Sequence, residues 1–109
     1  MKLSLHRAEK FNADFYQQYN WYLEQAGEDL AERFLNAVEI TLQSLLAQPD
    51  LGRRRQFRHS SLAGIRSFQV KPPFQNILIF YRHNATELSA ERLMHGARNL
   101  SRRLTEPLL

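Results

Sequence analysis

The sequence predicts an α+β fold of β-α-α-β-β-β order, with a small antiparallel-rich sheet packed against an N-terminal antiparallel helix hairpin. Three observations carry this. Apolar residues alternate with polar ones at the start of the chain, recur at three-or-four spacing through its first half, and alternate again beyond Gly64. Glycine and proline fall where those periods change. The 109 residues, 43% hydrophobic and without repeats or low-complexity stretches, suit one domain spanning 1–109.

In Met1–Arg7, Leu3 and Leu5 face one way and Lys2, Ser4 and His6 the other, as in a half-buried strand. Ala8, Phe11, Phe15, Tyr19 and Tyr22 then form an aromatic stripe on a first helix, from about Ala8 to Gln25. Gly27 stops it, because glycine ends helices in the left-handed conformation at little cost. A second helix starts at Glu28, with acids in its first turn and Ala31, Phe34, Leu35, Val38, Leu42, Leu45 and Leu46 on one stripe. It ends before Pro49, whose ring disfavours helix in the residue before it, and the short connection makes the two helices a hairpin. Pro49–Ser61 reads as a loop with a short extended piece around Gln56–Arg58. Strands follow at about Gly64–Lys71, Asn76–His83 and Thr86–His95, broken by Pro72–Pro73 and by a turn at His83–Ala85. The apolar run Ile77–Tyr81 marks the sheet centre, and Ala97–Leu104 fits a short basic C-terminal helix.

The chain has no cysteine, which excludes disulfide frameworks, thiolate catalysis and the common structural zinc sites and points to a reducing cytoplasm. No apolar run is long enough to cross a bilayer, so no membrane partner is expected. Net charge is +4, unevenly spread: four cations stand against eight acids through Gly52, and eleven against three from Arg53 onward. Ten of those eleven are arginine, whose guanidinium forks onto carboxylate or phosphate, so the second half calls for a polyanion or an acidic protein segment.

Chemistry-bearing constellations are few. His6, His59, His83 and His95 lie on separate elements without metal-ligand spacing, and no glycine-rich phosphate loop exists, so neither a metal nor a cofactor is expected. Ser60 or Ser61 beside His59 reads as polar loop rather than nucleophile and base. Arg53, Arg54, Arg55 and Arg58, with Phe57 among them, form the densest positive patch. Arg66 and Arg82 fall on strands, where an inward arginine needs a partner and an outward one lines a binding face. Trp21 falls off the inner stripe of the first helix and suits a partner-binding patch.

The stretch Glu91–Leu100, ERLMHGARNL, resembles the end of the RelE/ParE superfamily of bacterial toxins, where a last strand runs into a His-Gly-Ala-Arg-Asp/Asn-Leu turn. Further pieces resemble the family in order: Ala8 through Tyr22, Ala31–Phe34–Leu35, Pro49–Leu51–Gly52, Gly64–Ile65–Arg66–Ser67–Phe68 and Ile79–Phe80–Tyr81–Arg82. The resemblance covers essentially the whole chain. It implies a toxin of a type II toxin-antitoxin pair, wrapped by the tail of a cognate ParD-like antitoxin in a hetero-oligomer. The RNA-cleaving RelE-like branch, which acts on mRNA at the ribosome, sets basic residues on the middle strands and a tyrosine in the C-terminal segment. Here no tyrosine or histidine follows Arg98, and Phe68 and Val70 stand where lysines are expected. The ParE-like branch, which binds and poisons DNA gyrase, is therefore favoured over a ribosome-dependent endoribonuclease built on Arg66, His95 and Arg98. A non-toxic nucleic-acid-binding module is the third reading. We expect target binding at Arg66, Arg82, Arg98, Arg102 and Arg103. Antitoxin binding is expected at Trp21, Arg53, Arg54, Arg55, Arg58 and Arg66, and Gly96 is expected to leave the last strand through a conformation costly for other residues.

Overall fold

Residues 3–96 are described by the structure, a computed structural model. Strand β1 (Ser4–Arg7) leads into α1 (Glu9–Ala26), and α2 (Glu28–Ala47) follows after a single residue. That residue, Gly27, sits at φ 93°, where a side chain would be strained, and donates its N–H to the Leu23 carbonyl. A 3₁₀ turn (Pro49–Leu51), strand β2 (Arg53–Arg54) and a second 3₁₀ turn (Ser60–Leu62) precede β3 (Arg66–Gln69), β4 (Ile77–His83) and β5 (Glu87–His95). The sheet order is β1-β5-β4-β3-β2, with β1 parallel to β5 and every other pairing antiparallel. The α+β class, the hairpin and the central position of Ile77–Tyr81 thus match the sequence reading.

The strand order differs by one member. The extended piece lies at Arg53–Arg54 rather than at Gln56–Arg58, and it joins the sheet as a fifth strand, giving β-α-α-β-β-β-β. Both residues are exposed on this edge strand, so no apolar alternation marks it; pairing rests on the backbone, with Arg53 opposite Ser67 and Arg54 opposite Arg66. The C-terminal helix expected over Ala97–Leu104 lies outside the described residues.

Two clusters hold the sheet, one on each face. Phe11, Phe34, Val38, Leu42 and Leu45 of the helices bury Ile77, Ile79, Tyr81, Leu88 and Leu93, with Phe15, Tyr19 and Tyr22 packed partly against them. Leu35, expected on that stripe, is only half-buried. On the opposite face the loop before β3 folds back, so that Leu62 and Ile65 cover Phe80 and Met94. Burying one such side chain contributes about 1.5–3 kcal/mol, which explains why this otherwise polar loop stays on the sheet. A register shift between Phe80 and Tyr81 sets Phe80 opposite Arg92 and Tyr81 opposite Ala90, leaving Glu91 as the extra residue of a bulge.

Candidate functional site

The loop that carries the arginine run is held from beneath by a buried phenol. Tyr81 donates to the Pro49 carbonyl at 2.7 Å and accepts the Gly52 N–H at 2.8 Å, and burial raises its pKa. A Cβ at Gly52 would overlap the Tyr81 ring and hydroxyl, so glycine is needed for close approach. Arg66 reaches the Gly52 carbonyl at 2.9 Å and the Asp50 carboxylate at 3.2 Å, and His83 meets the same carboxylate at 2.9 Å. Arg82, from β4, donates to the carbonyls of Ser61 and Ala63, and its buried Nε has no hydrogen-bond partner among the described residues. The structure therefore places the two strand arginines on loop carbonyls, Arg66 fixing the turn that leads into β2 and Arg82 the loop between β2 and β3.

Among the described residues, no loop carbonyl receives the guanidinium groups of the arginine run itself. Arg53, Arg54 and Arg58 are exposed. Arg55 continues the β2–β3 ladder, its N–H donating to the Ile65 carbonyl at 3.0 Å, while its Nε donates to Ser67 Oγ at 2.7 Å. Burial, then the charge of Arg53, lowers the Arg55 pKa, so like charges are held close together. Phe57, which lies among them in the sequence, packs partly against Leu62, Ile65, Phe80 and Met94. Phe68 and Val70 likewise turn to the helix side, Val70 being buried, and Ser67 and Gln69 occupy the opposite face.

A groove runs between α1 and β5. Among the described residues, strand β1 pairs with Glu87–Ala90 only, and the β5 edge beyond it meets α1 rather than another strand. There Asp14 receives Arg92 Nε at 2.7 Å and the Leu93 N–H at 3.0 Å, a nearly buried ion pair that caps one edge donor. The Gly96 N–H donates to the Asn76 carbonyl; by the alternation of an antiparallel ladder, the backbone groups of His95 then point away from β4. A cavity of about 300 Å³ opens beside them, lined by Gln17, Gln18, Trp21, Met94 and His95. Trp21 is 54% exposed. His95 also borders a second depression of about 490 Å³ with Arg55, Gln69, Gln75 and Asn76, so the two form one band from Trp21 to the arginine run.

The histidines do not converge. His59 accepts from Ser61 N and meets Ser61 Oγ at 2.7 Å, which caps a 3₁₀ turn; His83 sits on Asp50; His95 lies at the groove. Arg98, Arg102 and Arg103 lie outside the described residues. Gly96 corrects its expectation: its φ is not in the left-handed region, and an added Cβ would meet the Leu78 Cδ1 methyl at 3.3 Å, the movable end of a side chain. The sequence reading also missed Asp14, Arg92 and Tyr81. An acid placed between Phe11 and Phe15 on an apolar helical stripe was the available signal for the first.

A helix hairpin on a mixed five-stranded sheet is the fold that the RelE/ParE resemblance implies. The chain belongs to the ParE family, described as ParE toxin of type II toxin-antitoxin system, parDE, which it matches over residues 5–100. Curated protein sequences give no match. Among solved structures, the chromosomal ParDE toxin-antitoxin system from P. aeruginosa superposes with a TM-score of 0.69 at 18% identity, over 86% of this chain and 96% of that one. The E. coli DinJ-YafQ toxin-antitoxin complex gives 0.55 at 15% identity, over 92% and 99%. A copper-bound toxin variant from Helicobacter pylori gives 0.52 at 20%, over 90% and 99%.

Proposed function

We propose that this toxin acts by binding and poisoning DNA gyrase, and that an acidic antitoxin tail silences it along the band from Trp21 to Arg53. Membership of the ParE family carries the reading. The scatter of His59, His83 and His95 supports it, since phosphodiester cleavage needs a base and an acid on either side of one scissile bond. A gyrase poison needs only surface and charge. The reading places the protein in the cytoplasm with its target; among the described residues no helix is long and apolar enough to cross a membrane.

For the antitoxin, an extended tail adds to the free edge at His95, sets an apolar side chain against Trp21 and turns its acids toward Arg53, Arg54, Arg55 and Arg58. Exposed charge pairs are screened, so affinity for the cognate antitoxin falls with salt, and Arg54→Glu lowers it about tenfold at low salt, the scale of one 1.4 kcal/mol loss. Affinity indifferent to both changes would refute the route. The test of the target uses antitoxin-free protein: inhibition of supercoiling by purified gyrase is expected, without cleavage of mRNA on translating ribosomes. Codon-positioned mRNA cleavage abolished by His95→Ala or Arg98→Ala, with gyrase untouched, would establish the RelE-like alternative instead.

A further inference from the structure

Residues 51–86 contain no aspartate or glutamate, while Arg53, Arg54, Arg55, Arg58, Arg66, Lys71 and Arg82 all fall within them. Two of these, Arg66 and Arg82, are engaged by loop carbonyls, and Arg66 is also neutralised by Asp50. What remains on β2 and the loop after it is a ridge made of the exposed guanidinium groups of Arg53, Arg54 and Arg58 and the half-buried Arg55, held on Ser67 Oγ. Its rigidity comes from three sources: the Tyr81 anchor, the Arg55 N–H on Ile65, and the apolar seat of Leu62 and Ile65.

We infer that this ridge binds the sugar-phosphate backbone of duplex DNA directly, so that the toxin grips the DNA held by gyrase as well as the enzyme. This rests on the gyrase reading and adds a second ligand to it. Arg53 and Arg55 project to the same face of an extended segment, about 7 Å apart at the usual strand rise, a span equal to about two base-pair rises along the duplex axis. The polar amides of Gln69, Gln75 and Asn76 border Arg55 and supply further donors to phosphate or sugar oxygens. Duplex is favoured over single strands because single-strand recognition stacks bases on aromatic rings, and the ridge offers none: Phe57 is turned onto the sheet, and the exposed aromatic residues Tyr16 and Trp21 both lie on α1. The antitoxin's acids then silence the toxin by occupying the arginines that DNA would use.

The test is fluorescence anisotropy of a short labelled DNA duplex with the full-length, antitoxin-free protein and no gyrase. Binding is expected, with log affinity falling against log salt at a slope of about −3 for three to four phosphate contacts. The double variant Arg53→Glu, Arg54→Glu weakens it at least tenfold, and Arg58→Ala, which adds no charge to the fold, weakens it about threefold. Arg33→Glu on α2 changes one charge as strongly as either glutamate, and should leave binding within about twofold if the ridge rather than net charge is responsible. No duplex binding at low salt, equal loss with Arg33→Glu, or tighter binding of single-stranded RNA than of duplex would overturn the inference. Gyrase inhibition without DNA binding removes the inference and leaves the gyrase reading; DNA binding without any effect on gyrase removes the gyrase reading and leaves the ridge as a duplex-binding site alone.

Discussion

Replacing Tyr81 with phenylalanine tests whether the arginine loop is held from within the core. The change keeps the ring, so the packing around it is preserved, and removes the hydroxyl that joins Gly52 N–H to the Pro49 carbonyl. The Gly52 N–H is buried, and stranding such a donor costs about 1–3 kcal/mol; the lost bond to Pro49, partly exposed, adds about 0.5–1 kcal/mol. A total near 2.5 kcal/mol is expected. For 109 residues, an unfolding entropy of about 2.1 cal/mol/K per residue converts each kcal/mol to about 4 °C, hence a Tm lower by about 10 °C. Urea denaturation should show the midpoint falling with no change in slope. Burial raises the Tyr81 pKa, so the folded state holds that proton more tightly than the unfolded chain does. Its contribution is full below the unfolded value of about 10 and is lost as pH rises through the folded value. Tyr81→Phe should flatten that alkaline limb without removing it, since burial also raises Tyr22. A loss below about 0.5 kcal/mol, with the alkaline limb unaltered, would refute the anchor.

Asp14→Ala removes the nearly buried carboxylate that pairs with Arg92 and frees the Leu93 N–H, so it should cost about 1–3 kcal/mol in urea denaturation, against under about 1 kcal/mol for Arg7→Ala at the more exposed Arg7–Glu39 pair. Gly96→Val should be mild, within about 1 kcal/mol by thermal unfolding, because its backbone is unstrained and the Leu78 methyl can move. Trp21→Ala should leave stability within about 0.5 kcal/mol yet weaken antitoxin binding about thirtyfold by calorimetry, as an exposed aromatic anchor does.

Period and punctuation made most of the fold legible: the stripe from Phe11 to Tyr22, the stop at Gly27 and the run Ile77–Tyr81 each translate burial into spacing. Strand β2 left no such trace, because an exposed edge strand of two arginines pairs by backbone alone. The roles of the strand arginines were equally hidden. Spacing fixes which face Arg66 and Arg82 occupy, but only the folded loops bring the Gly52, Ser61 and Ala63 carbonyls within their reach. Trp21 was legible as an off-stripe aromatic, whereas its groove depends on β1 ending before β5 does.

Mode of action is tested most directly in cells by inducing the toxin without an antitoxin and collecting, from one culture, both covalent gyrase–DNA adducts and mRNA 5′ ends. Adducts should accumulate within the first minutes of growth arrest, fall when the cognate antitoxin is co-expressed, and decline with Arg53→Glu, Arg54→Glu, while mRNA ends stay unchanged. New codon-phased mRNA ends without adducts would contradict binding as the mode of action.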